Sequence, residues 1–193
     1  VWIILVSLWV ISTIIGNWPQ QLKYTSTWWK NTRDNPQKLM VGSAIAFIFV
    51  VIMAQATYYP FTGDDEISRY AYFARLLFDQ GELTHTIRGY PPMLPTLYAS
   101  NFFASSSIIE QVAKLYPVIF SAMTVWVTYG LARYWFSKRA AYAAALILSS
   151  TPLFVHWSPV GYVDIATGLC FGVCAFTIEI WRRKQQINWA IVT

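Results

Sequence analysis

Charge is what this sequence has least of. Asp, Glu, Lys and Arg make up 12% of its 193 residues, about half of the 25% usual in a soluble domain. Apolar residues reach 56% and aromatics 18%, more than a globular core of this size can hide without leaving large apolar patches in water. That shortage of charge excludes a disordered chain, a coiled coil and an ordinary cytosolic enzyme. Cysteine is scarce too. Cys170 and Cys174 stand one helical turn apart in an apolar stretch, with no His or carboxylate beside them. Neither a disulfide nor a metal site is expected there, and packing is their role. No internal repeat or low-complexity tract is visible. The chain starts at Val1 rather than Met and ends on an apolar rise from Ile187 to Thr193, so it reads as a piece of a longer polytopic membrane protein. No base precedes the first apolar stretch, which therefore does not read as a signal peptide.

A transmembrane helix needs about 20 predominantly apolar residues. Residues 39–59, 115–132 and 140–163 carry no charge, and residues 165–181 carry one acid, Glu179, near one end. Residues 1–22 are uncharged as well, with 1–16 the strongly apolar part. A single central charge would cost about 3 kcal/mol on insertion scales, so these windows predict an all-α, polytopic bundle. The expected spans are 1–16, 39–59, 115–135, 140–158 and 164–181, with another beginning at 187.

The bases fix an orientation. Residues 17–38, 133–139 and 182–184 hold four, three and three Lys or Arg, ten of the fourteen in the chain. They sit on alternate connections, which places those connections in the cytoplasm. Segments 58–114 and 158–163 then face outward, and the first of them carries six of the nine acids. A net charge of +5 would otherwise raise nucleic acid as a partner. Bases clustered beside apolar spans answer to topology instead, so no nucleic acid is expected.

The outward segment 58–114 is long for a loop, and loops of that length are usually functional or disordered. Its aromatic and apolar content argues against disorder. Ile67, Tyr70, Ala71, Ala74, Leu77 and Phe78 recur at helical spacing between Glu66, Arg69, Arg75 and Asp79, predicting an amphipathic surface helix over 65–80. Gly81 is its expected stop, and Asp64 or Asp65 its expected N-cap. The run Asp64-Asp65-Glu66 stands just past the outward end of a span. One acid suffices for a cap, and three consecutive acids repel one another. An acidic helix start favoured by the dipole and a carboxylate acting as base or metal ligand are both open readings. Asp164, the acid opening the helix after the other outward turn, reads by itself as a cap. Together the two acidic positions on one side of a basic-inside protein begin to look like a site. His156, beside Trp157, reads as an interfacial residue.

The order of these features resembles the GT-C superfamily of membrane glycosyltransferases, and within it the branch of protein O-mannosyltransferases and aminoarabinose lipid A transferases. Asp65-Glu66 occupies the position of that branch's acidic pair in the first outward loop. Tyr90-Pro91-Pro92-Met93 follows the surface helix as its Pro-Pro element, and Lys114 opens the span at Leu115-Tyr116-Pro117. Phe136-Ser137-Lys138-Arg139 forms the tight basic turn, Thr151-Pro152-Leu153-Phe154 the later apolar element, and Asp164 the acid that opens the next helix. The likeness covers roughly residues 40–181. Tyr90 stands where many relatives have Lys, and Arg88 is the nearby cation that can substitute.

The resemblance implies transfer of a sugar from a polyprenyl-phosphate donor in the membrane lipid to a hydroxyl or amine of an acceptor protein, lipid or glycan. It implies a multi-pass protein, of a prokaryotic plasma membrane rather than the endoplasmic reticulum, with its site on the non-cytoplasmic face. Asp65 and Glu66 are the expected catalytic residues, with Asp65 the base. Arg88, Tyr90, Lys114, Asp164 and His85 are the expected substrate-binding set. No cofactor is fixed, although a divalent metal shared by Asp65 and Asp164 is an option. His85 reads as a loop histidine, with phosphate or metal contact the alternative, and Lys114 equally as a cation reaching out from a helix end. Competing readings are a permease or channel subunit with an acidic vestibule and a non-catalytic scaffold. Transporters usually break helices or place polar groups at mid-span, and here mid-span polarity is confined to Gln55, Ser149, Ser150 and Thr151. Carboxylates of Asp65 and Asp164 that share one outward region favour the enzyme.

Overall fold

The computed structural model describes residues 36–81 and 92–184. The expected spans at 1–16 and from 187 lie outside the described residues, as do His85, Arg88 and Tyr90. The chain divides into two units, residues 1–43 and 44–193, and the first is described only over Pro36–Ser43, as helix. Among the described residues there is no strand, and the architecture is an all-α bundle.

Helix α1 runs Pro36–Tyr58. At 1.5 Å per residue its 23 residues extend about 34 Å, enough for a hydrocarbon layer of about 30 Å. Two more helices have the length and composition of spans. One is α5, Leu115–Trp135, preceded at once by the short α4, Glu110–Ala113. The other is α8, Asp164–Lys184. Between them come α6, Lys138–Ser150, and α7, Pro152–Trp157. Phe47, Trp126 and Phe171 of the three long helices are all more than two-thirds exposed, the surface expected where lipid rather than water surrounds the helix.

Close packing follows from small residues. Ala141, Ala145 and Ser149 form a buried i, i+4, i+8 row on α6, and α6 packs against α5, where Tyr129 and Tyr142 meet edge to face at 5.2 Å. On the α5–α8 contact, a Cβ on Gly130 would stand 3.2 Å from the Phe176 ring, and one on Gly172 3.3 Å from Val127. The single span expected over 140–158 is two helices here. Thr151 is extended, with ψ 123°, because a residue before proline is pushed out of the helical region and Pro152 has no N–H to continue the ladder. The hydroxyls of Ser150 and Thr151 turn back onto the carbonyls of Leu146 and Ile147, which satisfies the last turn of α6 from within.

The described part of segment 58–114 has its own core. Helical structure begins at residue 64, passes through a π-helical turn at Glu66–Ala71, and continues as α2, Tyr72–Gln80. Gly81 closes α2 in the left-handed region at φ 71°, donating to Leu77 O. The expected cap is absent in its expected form, since Asp65 makes no side-chain capping bond. The wider π turn brings Glu66, Tyr70 and Ala71 to the buried side together. Helix α3, Met93–Ser105, lies against α2 and fills the space with Leu94, Tyr98, Ala99 and Phe102, against Phe61, Tyr70, Ala71, Ala74 and Ala113.

Candidate active site

Glu66 is the fixed point. It has no exposed surface, and its carboxylate accepts three backbone N–H bonds. Thr62 and Gly63 donate to one oxygen at 2.9 and 3.0 Å, and Gly161 donates to the other at 2.6 Å. Charge-assisted bonds of this type are about twice as strong as neutral ones. They fasten the turn before Asp65 to the turn before Asp164, two pieces of chain far apart in sequence. Gly161 is required for the approach. A Cβ there would lie 2.6 Å from Glu66 Oε1 and 2.7 Å from the Tyr98 hydroxyl. That hydroxyl is buried and has no hydrogen-bond partner. Burial holds the Tyr98 phenol well above its ordinary pKa, with the charge of Glu66 and then Tyr70 adding to the shift.

Asp65 points the other way. Its carboxylate is about two-fifths exposed and pairs with Arg69 at 3.1 Å, one helical turn on. Asp164 opens α8 and is exposed. Tyr70 joins the two. Burial raises its phenol pKa, and the charges of Asp164 and Asp65 act on the same group in the same direction, opposed by a Val163 backbone hydrogen bond and by Arg69. Both carboxylates therefore act electrostatically on one buried side chain. Among the described residues no group of three or more His, Cys, Asp or Glu could hold a metal ion.

Lys114 is placed differently from a cation reaching outward. It is 3% exposed, and its ammonium donates to the carbonyls of Tyr59 and Pro60 at 3.2 and 3.0 Å, tying the end of α1 to the junction of α4 and α5. Glu110 supports the same stretch by accepting the Phe61 N–H at 3.2 Å and pairing with Arg75. Sequence reasoning missed Glu110, Tyr98 and Gly161. Of these only Gly161 left a signal, as a glycine inside a short uncharged turn.

The structure thus ties the Asp65-Glu66 turn to the turn before Asp164 through Glu66, while Lys114 is bonded to the carbonyls of Tyr59 and Pro60. Against known proteins, no curated sequence and no solved structure matches the chain. The family model for dolichyl-phosphate-mannose-protein mannosyltransferases does match, over residues 90–193, more than half of the chain. Lys114 and Asp164 lie inside the matched stretch, and Asp65 and Glu66 precede it. The three helices of membrane length agree with that match: the chain belongs to the dolichyl-phosphate-mannose-protein mannosyltransferase family of membrane glycosyltransferases.

Proposed function

We propose that this protein transfers a sugar from a polyprenyl-phosphate donor to an acceptor hydroxyl or amine on the outward face of the membrane, as in the protein O-mannosyltransferase and aminoarabinose transferase branch. The observation that carries the reading is the Glu66 clasp, whose carboxylate accepts from Thr62 and Gly63 just before Asp65 and from Gly161 just before Asp164 and so ties the two acidic turns together. In this reading the acceptor oxygen or nitrogen attacks the anomeric carbon while Asp65 takes its proton. The bond from that carbon to the phosphate oxygen breaks, and the lipid phosphate leaves with the electron pair. A general base must lie within hydrogen-bond reach of the proton it removes, and Asp65 has the exposure for it. Glu66 does not, since both its oxygens are engaged by backbone N–H groups. Its part is to hold Asp65 and Asp164 in register. Asp164 is then free to accept a hydroxyl of the sugar or acceptor.

The departing phosphate carries developing charge that fixed cations stabilise. Arg88 and Lys114 are assigned to it, with Tyr90 and His85 as neighbours on the same segment. An ammonium has three N–H donors, so Lys114 keeps one beyond the two it gives to Tyr59 and Pro60. Replacing Arg88 or Lys114 with Ala should weaken donor binding, measured with a polyprenyl-phosphate sugar. Arg88→Ala should leave the melting point in place. Lys114→Ala should also lower it, because two carbonyls lose their donor. Unchanged donor affinity in both variants would remove the pair from the site.

The same reading puts segment 58–114 outside and the turn at 136–139 in the cytoplasm of a plasma membrane. Ser107, between α3 and α4, and Ser137, ahead of α6, are both exposed. Cysteine placed at each should be labelled by impermeant reagents from opposite faces. Labelling of both from one face would overturn the topology.

A further inference from the structure

An aromatic platform lies beside the two acids. Trp157 ends α7 and Tyr162 follows in the turn before α8. Their rings stack with centroids 5.1 Å apart and planes 28° from parallel. Tyr162 continues the array to Tyr70, ring to ring at 6.5 Å. Its hydroxyl lies against Gly63, where a Cβ would stand 2.8 Å away, two residues from Asp65. Asp164 is two residues from Tyr162 in the other direction. Trp157 and Tyr162 are each only half-buried.

The turn that carries them is unusually well fixed for an outward loop. The Gly161 N–H is held by buried Glu66. The Tyr162 N–H donates to Val160 O at 2.9 Å and the Ser158 hydroxyl to Phe154 O at 2.6 Å. A tryptophan serving only in the aromatic belt of a membrane interface needs neither a stacking partner nor a bolted turn. A half-open aromatic face next to carboxylates fits a different ligand. Pyranose rings present one face of C–H groups, which rests on an aromatic plane, and a rim of hydroxyls, which carboxylates accept.

We propose that the Trp157–Tyr162 stack is a sugar-binding platform, on which a pyranose ring lies with its hydroxyls toward Asp164 and Asp65. The proposal rests on the glycosyl-transfer reading and adds the place where the ring sits. The sugar can arrive on the lipid phosphate or as part of an acceptor glycan, and the kinetics separate the two.

The test uses the intact membrane protein with polyprenyl-phosphate mannose as donor probe and a mannosylated peptide as acceptor probe. Trp157→Leu removes the plane while keeping an apolar side chain, and Trp157→Phe restores a smaller plane. The Leu variant should raise KM by roughly three- to tenfold, the scale of one aromatic stacking contact. The Phe variant should recover part of that loss at an unchanged melting point. A rise for the donor alone places the donor sugar on the platform, and a rise for the acceptor alone places an acceptor sugar there. A Leu variant with both KM values of the wild type, or a Phe variant no better than Leu, would overturn the platform while leaving the enzyme reading intact. A wild-type protein that transfers no sugar fails at the earlier step, and the platform falls with it.

Discussion

Gly161→Ala should destabilise the part of the protein held by the Glu66 clasp by about 2–6 kcal/mol, far more than a methyl group usually costs on a turn. The new Cβ would stand 2.6 Å from Glu66 Oε1 and 2.7 Å from the Tyr98 hydroxyl, inside contact distance on both sides. Neither neighbour can swing away into water, because Glu66 and Tyr98 have no exposed surface. Overpacking of this kind costs about 1–3 kcal/mol. Pushing the carboxylate off the Gly161 N–H adds a buried, unpaired polar group at about 1–3 kcal/mol more. A second variant isolates the cause. Tyr98→Phe removes a hydroxyl that has no partner, so alone it should be neutral or slightly stabilising. Combined with Gly161→Ala it should recover part of the loss, since the methyl gains the vacated space. The two sites are in contact, where non-additivity of 0.5–3 kcal/mol is typical. Thermal unfolding in detergent or lipid would read the cycle. Additive effects, or a Gly161→Ala protein as stable as the wild type, would show that the Glu66 clasp does not hold the two turns.

That clasp also marks where reading the sequence stopped. Helices α1, α5 and α8 follow from windows in which charge is absent, because insertion free energy depends on composition and length rather than on distant contacts. Hydropathy does not register backbone geometry, however. Residues 140–163 are uniformly uncharged, yet Pro152 divides them, because a hydropathy window does not weigh the N–H that proline lacks. The π turn at Glu66–Ala71 was equally illegible, since its apolar spacing differs little from that of an α-helix over so short a run. Glu66 shows the limit most clearly. Its type and place beside Asp65 suggested a second catalytic carboxylate, while its partner Gly161 lies 95 residues away. Nothing in local sequence tells a carboxylate that meets water from one that meets three N–H groups. The same holds for Lys114, whose carbonyl partners at Tyr59 and Pro60 are 55 and 54 residues distant.

Asp65→Asn should reduce sugar transfer by about 10²–10⁴-fold, the usual worth of general-base assistance, with donor binding largely kept. The structure makes this substitution cleaner than the sequence implied. Asp65 gives no side-chain cap, so its replacement removes no capping bond from the helix start. Its ion pair with Arg69 is partly exposed on both sides, and such pairs contribute about 0–1 kcal/mol. Stability should therefore change little, and a large loss of rate cannot be ascribed to unfolding. Asp64→Asn supplies the control. Asp64 is exposed, and its backbone carbonyl, which the substitution leaves in place, accepts the Ser68 hydroxyl. Rate should fall far less there. Glu66→Gln separates the remaining role. An amide nitrogen would replace one of the acceptors that meet Thr62, Gly63 and Gly161, setting donor against donor, so this variant should lose stability along with rate. Asp65→Asn should lose rate alone. Transfer assayed from a polyprenyl-phosphate donor, beside thermal unfolding of all three variants, tells the roles apart. An Asp65→Asn protein that still transfers sugar at the wild-type rate would take the base away from Asp65.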